Sequence, residues 1–362
     1  MDAPADEDDE YRFVRFTFDD DSDGLPFLSG AQDGKARAPK AAAAPALDVA
    51  RPTSPLPSLV TPKPLVTYLG PGTNAVARIH ISQLTPALFD AHHRSVGVPL
   101  IIEGALDKAV DWRLPAFVNS FDPEATYQCR IHGGDSFAVS PSKWSGKTHA
   151  RHVVPTTPRK FAETITSGVA QREDCYVQAD ISGTSAGRAI EADLERIGAR
   201  TGMQVHRRYG PIVNMWWGPA GHTEPLHMDA TDGTLCQLRG RKTIVLFPPS
   251  SWRDLYPFPC TNTGMSWAFS QVVQSAPDFA KFPQLKWALE KRIEVELQEG
   301  EVLYIPACCA HEITGELTLA DGSPAEHVLS INRFWRTSPV LVRPHMPMDS
   351  LKSYNETMAP YE

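Results

Sequence analysis

The chain has 362 residues, with 35 Lys and Arg against 43 Asp and Glu, and a formal net charge of −8. Residues 1–24 hold ten of the acidic residues and two arginines, so the remaining chain has 33 acidic and 33 basic side chains. A neutral body lacks the global basic field that drives non-specific binding to nucleic acid. No run of 18 apolar residues is present, so we expect no membrane span.

Cysteine usage and the N-terminus bear on the compartment. The N-terminus is acidic and lacks an apolar segment, so no secretory signal is predicted. The six cysteines show no Cys-x-x-Cys spacing, and such sparse usage in a long chain is typical of reduced thiols. We therefore expect a soluble protein of the cytosol or nucleus.

We expect one catalytic domain with a tail. The chain is long enough for two average domains, but β-barrel folds often exceed 200 residues as one domain. Residues 1–66 are acidic and then rich in Ala and Pro, which predicts a disordered tail that cannot bury enough apolar surface to fold. The other predicted divisions are an N-terminal α+β part at 67–210, a metal-binding barrel at 211–338 with an insertion at 250–292, and a C-terminal extension at 339–362.

Hydrophobic spacing predicts a mixed order of elements before the barrel. Proline at the first position after Thr157 indicates a capped helix start. The predicted elements, in order, are a helix at 84–89, a strand at 98–104, a helix at 112–121, a strand at 137–139, a helix at 158–165, a strand at 175–180 and a helix at 189–200.

From residue 212 onward, short strands dominate. Eight are predicted, at 212–217, 224–229, 234–239, 242–247, 293–298, 301–305, 311–316 and 327–335. Asp321-Gly322 is a hairpin signal between the last two. Eight short strands separated by turns favour a mainly β fold, a double-stranded β-helix of the jelly-roll or cupin type, with flanking helices and an N-terminal α+β region.

Three side chains in this region have the pattern of a metal site. His227 and Asp229 stand two residues apart on a predicted strand, so they point to the same side of it. A later short strand ends in a proline and is followed by His311. Two histidines and one carboxylate are the facial triad of non-haem Fe(II) oxygenases, although zinc or nickel would also bind them.

The segments around these ligands recur in order. They are Asn214-Met-Trp-Trp-Gly-Pro-Ala-Gly221, Gln237-Leu-Arg-Gly-Arg-Lys242 with its apolar strand, and Ser330-Ile-Asn-Arg-Phe-Trp335. From 76 to 337, the chain resembles the JmjC-type, cupin-like 2-oxoglutarate oxygenases. It looks closest to their protein-hydroxylase branch, which includes the asparaginyl hydroxylase of the hypoxia factor. The resemblance implies Fe(II), 2-oxoglutarate and O2 as cofactors, with His227, Asp229 and His311 as the catalytic metal ligands.

The same resemblance implies a cosubstrate site. Lys242 matches the lysine that pairs with the distal carboxylate, Tyr176 matches a tyrosine that bonds the same carboxylate, and Asn332 matches an asparagine near the metal. The family often has Thr or Ser three residues before the metal histidine, whereas this chain has Glu224 there. In the family, the Thr or Ser at that position forms a hydrogen bond with the cosubstrate. In this chain, either Thr223 forms that hydrogen bond instead or the hydrogen bond is lost. Two further departures are Gly233 in place of a frequent Asn, and Cys308-Cys309 in place of aromatic residues.

The resulting hypothesis is a 2-oxoglutarate-dependent dioxygenase that hydroxylates a protein side chain. His-x-Asp, rather than the His-x-Glu common among histone demethylases, and the absence of a zinc-binding reader module favour that substrate class. The alternatives are a tRNA or small-molecule oxygenase, a histone lysine demethylase, or a non-oxidative cupin-type metal-binding protein. Glu224 favours the last alternative, because a carboxylate there would repel a dicarboxylate, and Lys242 opposes it.

Overall fold

The computed structural model describes residues 76–132, 152–207, 209–258, 268–274, 276–316, 318–319 and 321–336. The predicted tail at 1–66, the strand at 137–139 and the extension at 339–362 lie outside these residues.

Thirteen strands and six α-helices form within the described part of the chain. The strands are β1 Ala77–His80, β2 Leu100–Glu103, β3 Tyr127–Ile131, β4 His152–Thr156, β5 Cys175–Asp180, β6 Asn214–Gly218, β7 Thr223–Met228, β8 Asp232–Arg239, β9 Lys242–Phe247, β10 Ile293–Leu297, β11 Val302–Ile305, β12 Ala310–Gly315 and β13 Val328–Trp335. The helices are α1 Pro86–Phe89, α2 Leu114–Val118, α3 Pro158–Thr166, α4 Val169–Arg172, α5 Ser185–Thr201 and α6 Leu285–Leu289. A π-helical turn follows α1 at Asp90–Arg94, and 3-10 turns lie at Ile81–Gln83 and Pro249–Leu255.

The strands form two sheets. The larger has nine strands in the order β1-β2-β11-β8-β13-β6-β5-β3-β4, and the smaller has four in the order β10-β9-β12-β7. Apolar side chains from both sheets form one buried cluster between them, which includes Leu235 and Leu303 from the larger sheet and Ile244 and Val295 from the smaller. Two facing sheets with this packing are a jelly roll, and the predicted fold class is confirmed.

Two further clusters cover the outer faces of the sandwich. The helices pack on the larger sheet through a core that includes Phe117, Phe161 and Trp217. The segment after β9 packs on the smaller sheet, where Trp252 and Leu285 join residues of β7 and β9. The outer faces are therefore filled, and the space between the sheets is the place where polar side chains can meet.

Local sequence explains where the two longest helices begin. The Thr157 hydroxyl accepts a hydrogen bond from the Lys160 amide, and α3 begins at the predicted proline. In the same way, Thr184 caps α5 through the Gly187 amide, so this helix begins four residues before the predicted start at Ala189. It ends at Gly202, whose φ of 72° is the left-handed conformation that commonly terminates a helix.

Three strands were not predicted. β1 is mostly exposed and pairs in parallel with β2, so it lacks an apolar pattern. β3 and β4 pair with each other, and β3 also pairs with β5. Arg130 interrupts the apolar pattern of β3, because this buried arginine faces the space between the sheets opposite Tyr176.

Candidate metal centre and cosubstrate pocket

The smaller sheet brings the three predicted metal ligands together. His227 on β7 and His311 on β12 are direct partners in the antiparallel register, and their ring centroids are 4.2 Å apart. Asp229 follows β7 immediately, and its Oδ2 lies 3.8 Å from His311 Nε2. The ligand atoms of all three residues lie within 4.8 Å of one another, a group that could hold a metal ion.

Backbone carbonyls fix both imidazoles in the same tautomer. His227 Nδ1 donates to the Pro225 carbonyl at 2.7 Å, and His311 Nδ1 donates to the Cys309 carbonyl at 2.9 Å. A carbonyl oxygen can only accept, so Nε2 of each ring keeps its lone pair for a metal. Burial, together with the neighbouring His227, lowers the pKa of His311 to about 3. The donor set is thus neutral imidazole, neutral imidazole and carboxylate, which fits a divalent ion.

A β-bulge decides which residue of β7 lies beside this group. Between His311 and Ile313 the pairing register shifts by one residue, so that Ile313 faces Glu224 and Thr314 faces Thr223. Directly opposed residues of an antiparallel pair point to the same side of the sheet. Residues of β7 before the bulge therefore point to the side opposite to the one that strict alternation from His227 would give. Glu224 is therefore turned into the barrel on the side of His227.

Thr223 lies on the outer side of the same sheet. Its hydroxyl is 2.9 Å from the hydroxyl of Thr314, its direct neighbour across the strands. The structure therefore does not bring Thr223 together with the other predicted site residues. The alternation of an ideal strand would have placed it on the side of His227, and the bulge is the physical reason that it does not lie there.

Lys242 is the charged end of the pocket between the sheets. It opens β9, is buried, and lies 2.5 Å from Ser330 Oγ and 3.4 Å from Tyr176 Oη. Burial lowers the pKa of Lys242 to about 7, and the charge of Glu224 opposes this shift. Burial also raises the pKa of Tyr176, so its phenol stays protonated and can donate a hydrogen bond.

The remaining predicted site residue, Asn332, lies one alternation beyond Ser330 on β13. Its Oδ1 accepts a hydrogen bond from Trp216 Nε1 at 2.7 Å. Trp216 thus lies on the inner face, whereas Trp217 and Trp335 are buried in the outer core. Of the three tryptophans, only Trp216 faces the pocket.

The two cysteines before His311 pack in different cores. Cys308 belongs to the cluster on the outer face of the smaller sheet, and Cys309 to the cluster between the sheets. Cys308 has a φ of 61°, and its amide donates to the Asp229 carbonyl at 2.7 Å. All five cysteines in the described ranges are buried free thiols. Both cysteines are therefore packed core residues, and the backbone hydrogen bond from Cys308 helps to position Asp229.

Sequence reasoning missed several polar residues of the pocket. They are Arg130, His132, Asp174, Gln178, His222 and Ser330. A signal existed for Ser330, which stands two residues before Asn332 on a predicted strand and so shares its face. The others come from β3, β5 and the turn before β7, which only the tertiary fold brings together.

Gly218 provides a test of the pocket wall. A Cβ on Gly218 would lie 2.3 Å from the ring of Tyr176, so Gly218→Ala should displace this ring and weaken 2-oxoglutarate binding by about tenfold, the scale of an overpacked core of 1–3 kcal/mol. Gly183→Ala is the matched control, because this glycine is exposed between β5 and α5 and a Cβ there meets nothing within 4 Å. Calorimetric titration of both metal-loaded variants would measure the effect. Equal affinities would show that Tyr176 does not line the cosubstrate site.

Two facing sheets with a His-Asp-His group between them define a JmjC-type cupin oxygenase scaffold. Comparison with known families agrees: the family described as "Cupin-like domain" matches residues 86–340. The chain belongs to this family. Fe(II), 2-oxoglutarate and O2 are the cofactors of its JmjC-type members, and the ligand group for the metal is present in this chain.

Curated relatives each match a part of this chain. JmjC domain-containing protein D of Dictyostelium discoideum is 41% identical over 99 residues, which are 27% of this chain and 21% of that protein. Lysine-specific demethylase 8 of Xenopus tropicalis is 38% identical over 101 residues, 28% of this chain and 22% of the relative. Human tRNA wybutosine-synthesizing protein 5 is 32% identical over 136 residues, 37% of this chain and 34% of the relative.

The chain therefore aligns with roughly a fifth to a third of the length of these relatives. Among the residues that the structure describes, no helix has the length and apolar character needed to cross a membrane.

Proposed function

We propose that this chain is an Fe(II)- and 2-oxoglutarate-dependent dioxygenase that hydroxylates a protein side chain. The observation that carries the proposal is the arrangement inside the barrel: a group fit for a metal at one end of the small sheet and a buried lysine at the other. Lys242 pairs with Gly315, four residues along β12 from His311, which is about 13 Å along a strand. The Lys242 side chain can extend from that position toward the metal group, and a small dicarboxylate could then bind the metal at one end and the lysine at the other.

Each residue has a defined task in this proposal. His227, Asp229 and His311 would hold the metal, since two imidazoles and one carboxylate are the ligand set of non-haem Fe(II) oxygenases. Lys242 and the Tyr176 hydroxyl bind the distal carboxylate, and Ser330 holds the ammonium group in place. Asn332 and Trp216 form the wall next to them. When bound, the metal would supply the oxidising chemistry with 2-oxoglutarate and O2, in which one oxygen atom enters succinate, CO2 is released and the other oxygen atom converts a C–H bond of the substrate into C–OH.

The protein substrate is proposed from charge and from the ligand motif. A body with equal numbers of acidic and basic residues lacks the electrostatic footprint of a nucleic-acid binder. The relatives are named for lysine demethylation and for tRNA modification, so both are kept as alternatives. We place the enzyme in the cytoplasm or nucleus.

The products would distinguish these alternatives. Full-length protein with Fe(II), 2-oxoglutarate and isotopically heavy O2 is incubated separately with cellular protein and with tRNA, and each pool is analysed by mass spectrometry. We expect succinate together with one heavy oxygen retained on a protein side chain. Formaldehyde with loss of a methyl group would instead indicate a demethylase, and label in the nucleic acid would indicate a tRNA oxygenase.

A metal-binding protein without oxygenase activity is the second candidate, and Glu224 is the observation that favours it. This carboxylate lies inside the barrel, opposite Ile313, and thus between His311 and Lys242 along the strand. Such a protein would bind metal and produce no succinate from 2-oxoglutarate.

A further inference from the structure

Glu224 belongs to a line of polar side chains that runs from the pocket to the turn before β5. His222 stands between two carboxylates: its Nδ1 is 2.7 Å from Asp174 Oδ1, and its Nε2 is 3.7 Å from Glu224 Oε2. The imidazole also stacks on the ring of Tyr176, with centroids 3.8 Å apart and an interplanar angle of 17°. His222 thus contacts both a proposed cosubstrate ligand and the carboxylate that would repel the cosubstrate.

The surroundings of His222 favour its charged form. Burial alone would lower its pKa, but the hydrogen bond to Asp174 and the negative charge of Glu224 raise the pKa above the ordinary value of histidine. The titratable groups that the described residues place around this imidazole and its two carboxylates are His132 and Arg130 of the β3 end, Asp174 and Tyr176 of β5 and the turn before it, Glu224 of β7 and Lys242 of β9, with Asp229 and His311 of the metal group facing Glu224.

A count of charges shows what the protonated ring would do. Outside the metal group, Arg130, Lys242 and a charged His222 carry three positive charges, while Asp174 and Glu224 carry two negative charges. This pocket has one positive charge left for the distal carboxylate of a dicarboxylate. With a neutral His222 the same pocket has none, and binding would bury an uncompensated negative charge, which is costly in a dry site.

We propose that His222 is a positioning residue of the cosubstrate site: as an imidazolium between Asp174 and Glu224, it neutralises Glu224 and supports the ring of Tyr176, so that a dicarboxylate can bind beside a carboxylate. This inference rests on the proposed function. It explains how a chain with Glu224, where related enzymes often have Thr or Ser, can still accept 2-oxoglutarate.

The affinity of this pocket for 2-oxoglutarate depends on pH through the charge of His222. A histidine with a raised pKa keeps its charge at lower pH and loses it as the pH rises through that raised pKa. The affinity for 2-oxoglutarate should therefore fall as the pH rises above the usual histidine range. Lys242, whose pKa is about 7 without cosubstrate, loses its charge in the same direction. The two contributions must be separated by substitution.

The experiment is a calorimetric double-mutant cycle on the full-length, Mn(II)-loaded protein, with 2-oxoglutarate as the ligand. His222→Gln should weaken binding at neutral pH by about tenfold, which corresponds to about 1.36 kcal/mol. In a Glu224→Gln background the same substitution should have little effect, because the carboxylate that needed neutralising is gone. Binding of 2-oxobutyrate, which lacks the distal carboxylate, should change little in any variant.

Several results would overturn the inference. Equal affinities of wild type and His222→Gln would show that the imidazole does not act on the cosubstrate. Equal losses with and without Glu224 would show that His222 only supports the packing of Tyr176. If wild type binds Mn(II) but not 2-oxoglutarate, the proposed function is wrong and the inference fails with it. If wild type binds 2-oxoglutarate and one of the two results above is found, only the inference is wrong.

A measurement on the unaltered chain covers the case in which His222→Gln does not fold. Histidine-labelled wild-type protein is titrated with acid and base by NMR, with and without 2-oxoglutarate. We expect the His222 ring to be charged at neutral pH and its pKa to rise further when the dicarboxylate binds. A neutral ring in the bound state would contradict the proposal.

Discussion

His227→Ala and Asp229→Ala should each remove most of the bound iron and lower 2-oxoglutarate turnover by more than about 100-fold, because changes to the outer partners of metal ligands alone cost 10–100-fold. The barrel should stay folded. The three ligands lie at one end of the small sheet, whereas the apolar clusters between and outside the sheets hold the fold together. Metal content by elemental analysis and succinate release would measure both effects.

His92→Ala is the matched control, since this histidine is exposed on the π-helical turn after α1 and is far in sequence from the ligands. It should keep both iron and turnover. Thermal unfolding of all variants would separate a lost site from a lost fold. Full turnover in His227→Ala or Asp229→Ala would show that the metal assignment is wrong.

Lys242→Ala should raise the 2-oxoglutarate concentration needed for half-maximal turnover by about 30- to 150-fold, the equivalent of a charge-assisted hydrogen bond of about 2–3 kcal/mol. Iron affinity should change much less, since Lys242 lies four strand positions from His311 in the register of β12. The loss should exceed that of His222→Gln, because the lysine contacts the cosubstrate in our proposal and the histidine acts through its neighbours.

Arg241→Ala is the control for this variant. Arg241 directly precedes Lys242 but faces outward, where it pairs with Glu296 at 2.8 Å and with the Thr318 carbonyl at 3.2 Å. Its loss should cost at most about 1 kcal/mol of stability and leave cosubstrate binding unchanged. If Lys242→Ala requires no more 2-oxoglutarate than Arg241→Ala does, the lysine is not the anchor of the distal carboxylate.

The barrel was largely predictable because its strands are short and bounded by turn residues. The predicted ranges 242–247 and 301–305 differ from β9 and β11 by at most one residue. A turn does form at Asp321-Gly322, but the predicted hairpin is wrong, because the strands on either side, β12 and β13, belong to different sheets. Short apolar runs bounded by turn residues carry this information locally. β1 and β3 lacked it, because β1 is exposed and β3 has a buried arginine on its inner face.

The interior of the pocket was less predictable, because it depends on register. The pattern His-x-Asp predicts that the two side chains lie on the same side of the strand, and this prediction does not depend on which strand is the neighbour. Whether Glu224 or Thr223 faces the barrel depends on a bulge against β12, which is far away in sequence. No local signal joins His222 to Asp174, 48 residues before it, so their ion pair was invisible in the sequence.

The most direct test of the account is the conversion of 2-oxoglutarate by the full-length protein. Purified protein is supplied with Fe(II), 2-oxoglutarate and O2, and succinate and CO2 are quantified. We predict release of the two products in equal amounts, dependent on both iron and O2 and absent from His311→Ala. A wild-type protein that binds iron at this site but neither binds 2-oxoglutarate nor releases succinate would contradict the account, and would show a cupin that has kept its metal and lost its cosubstrate.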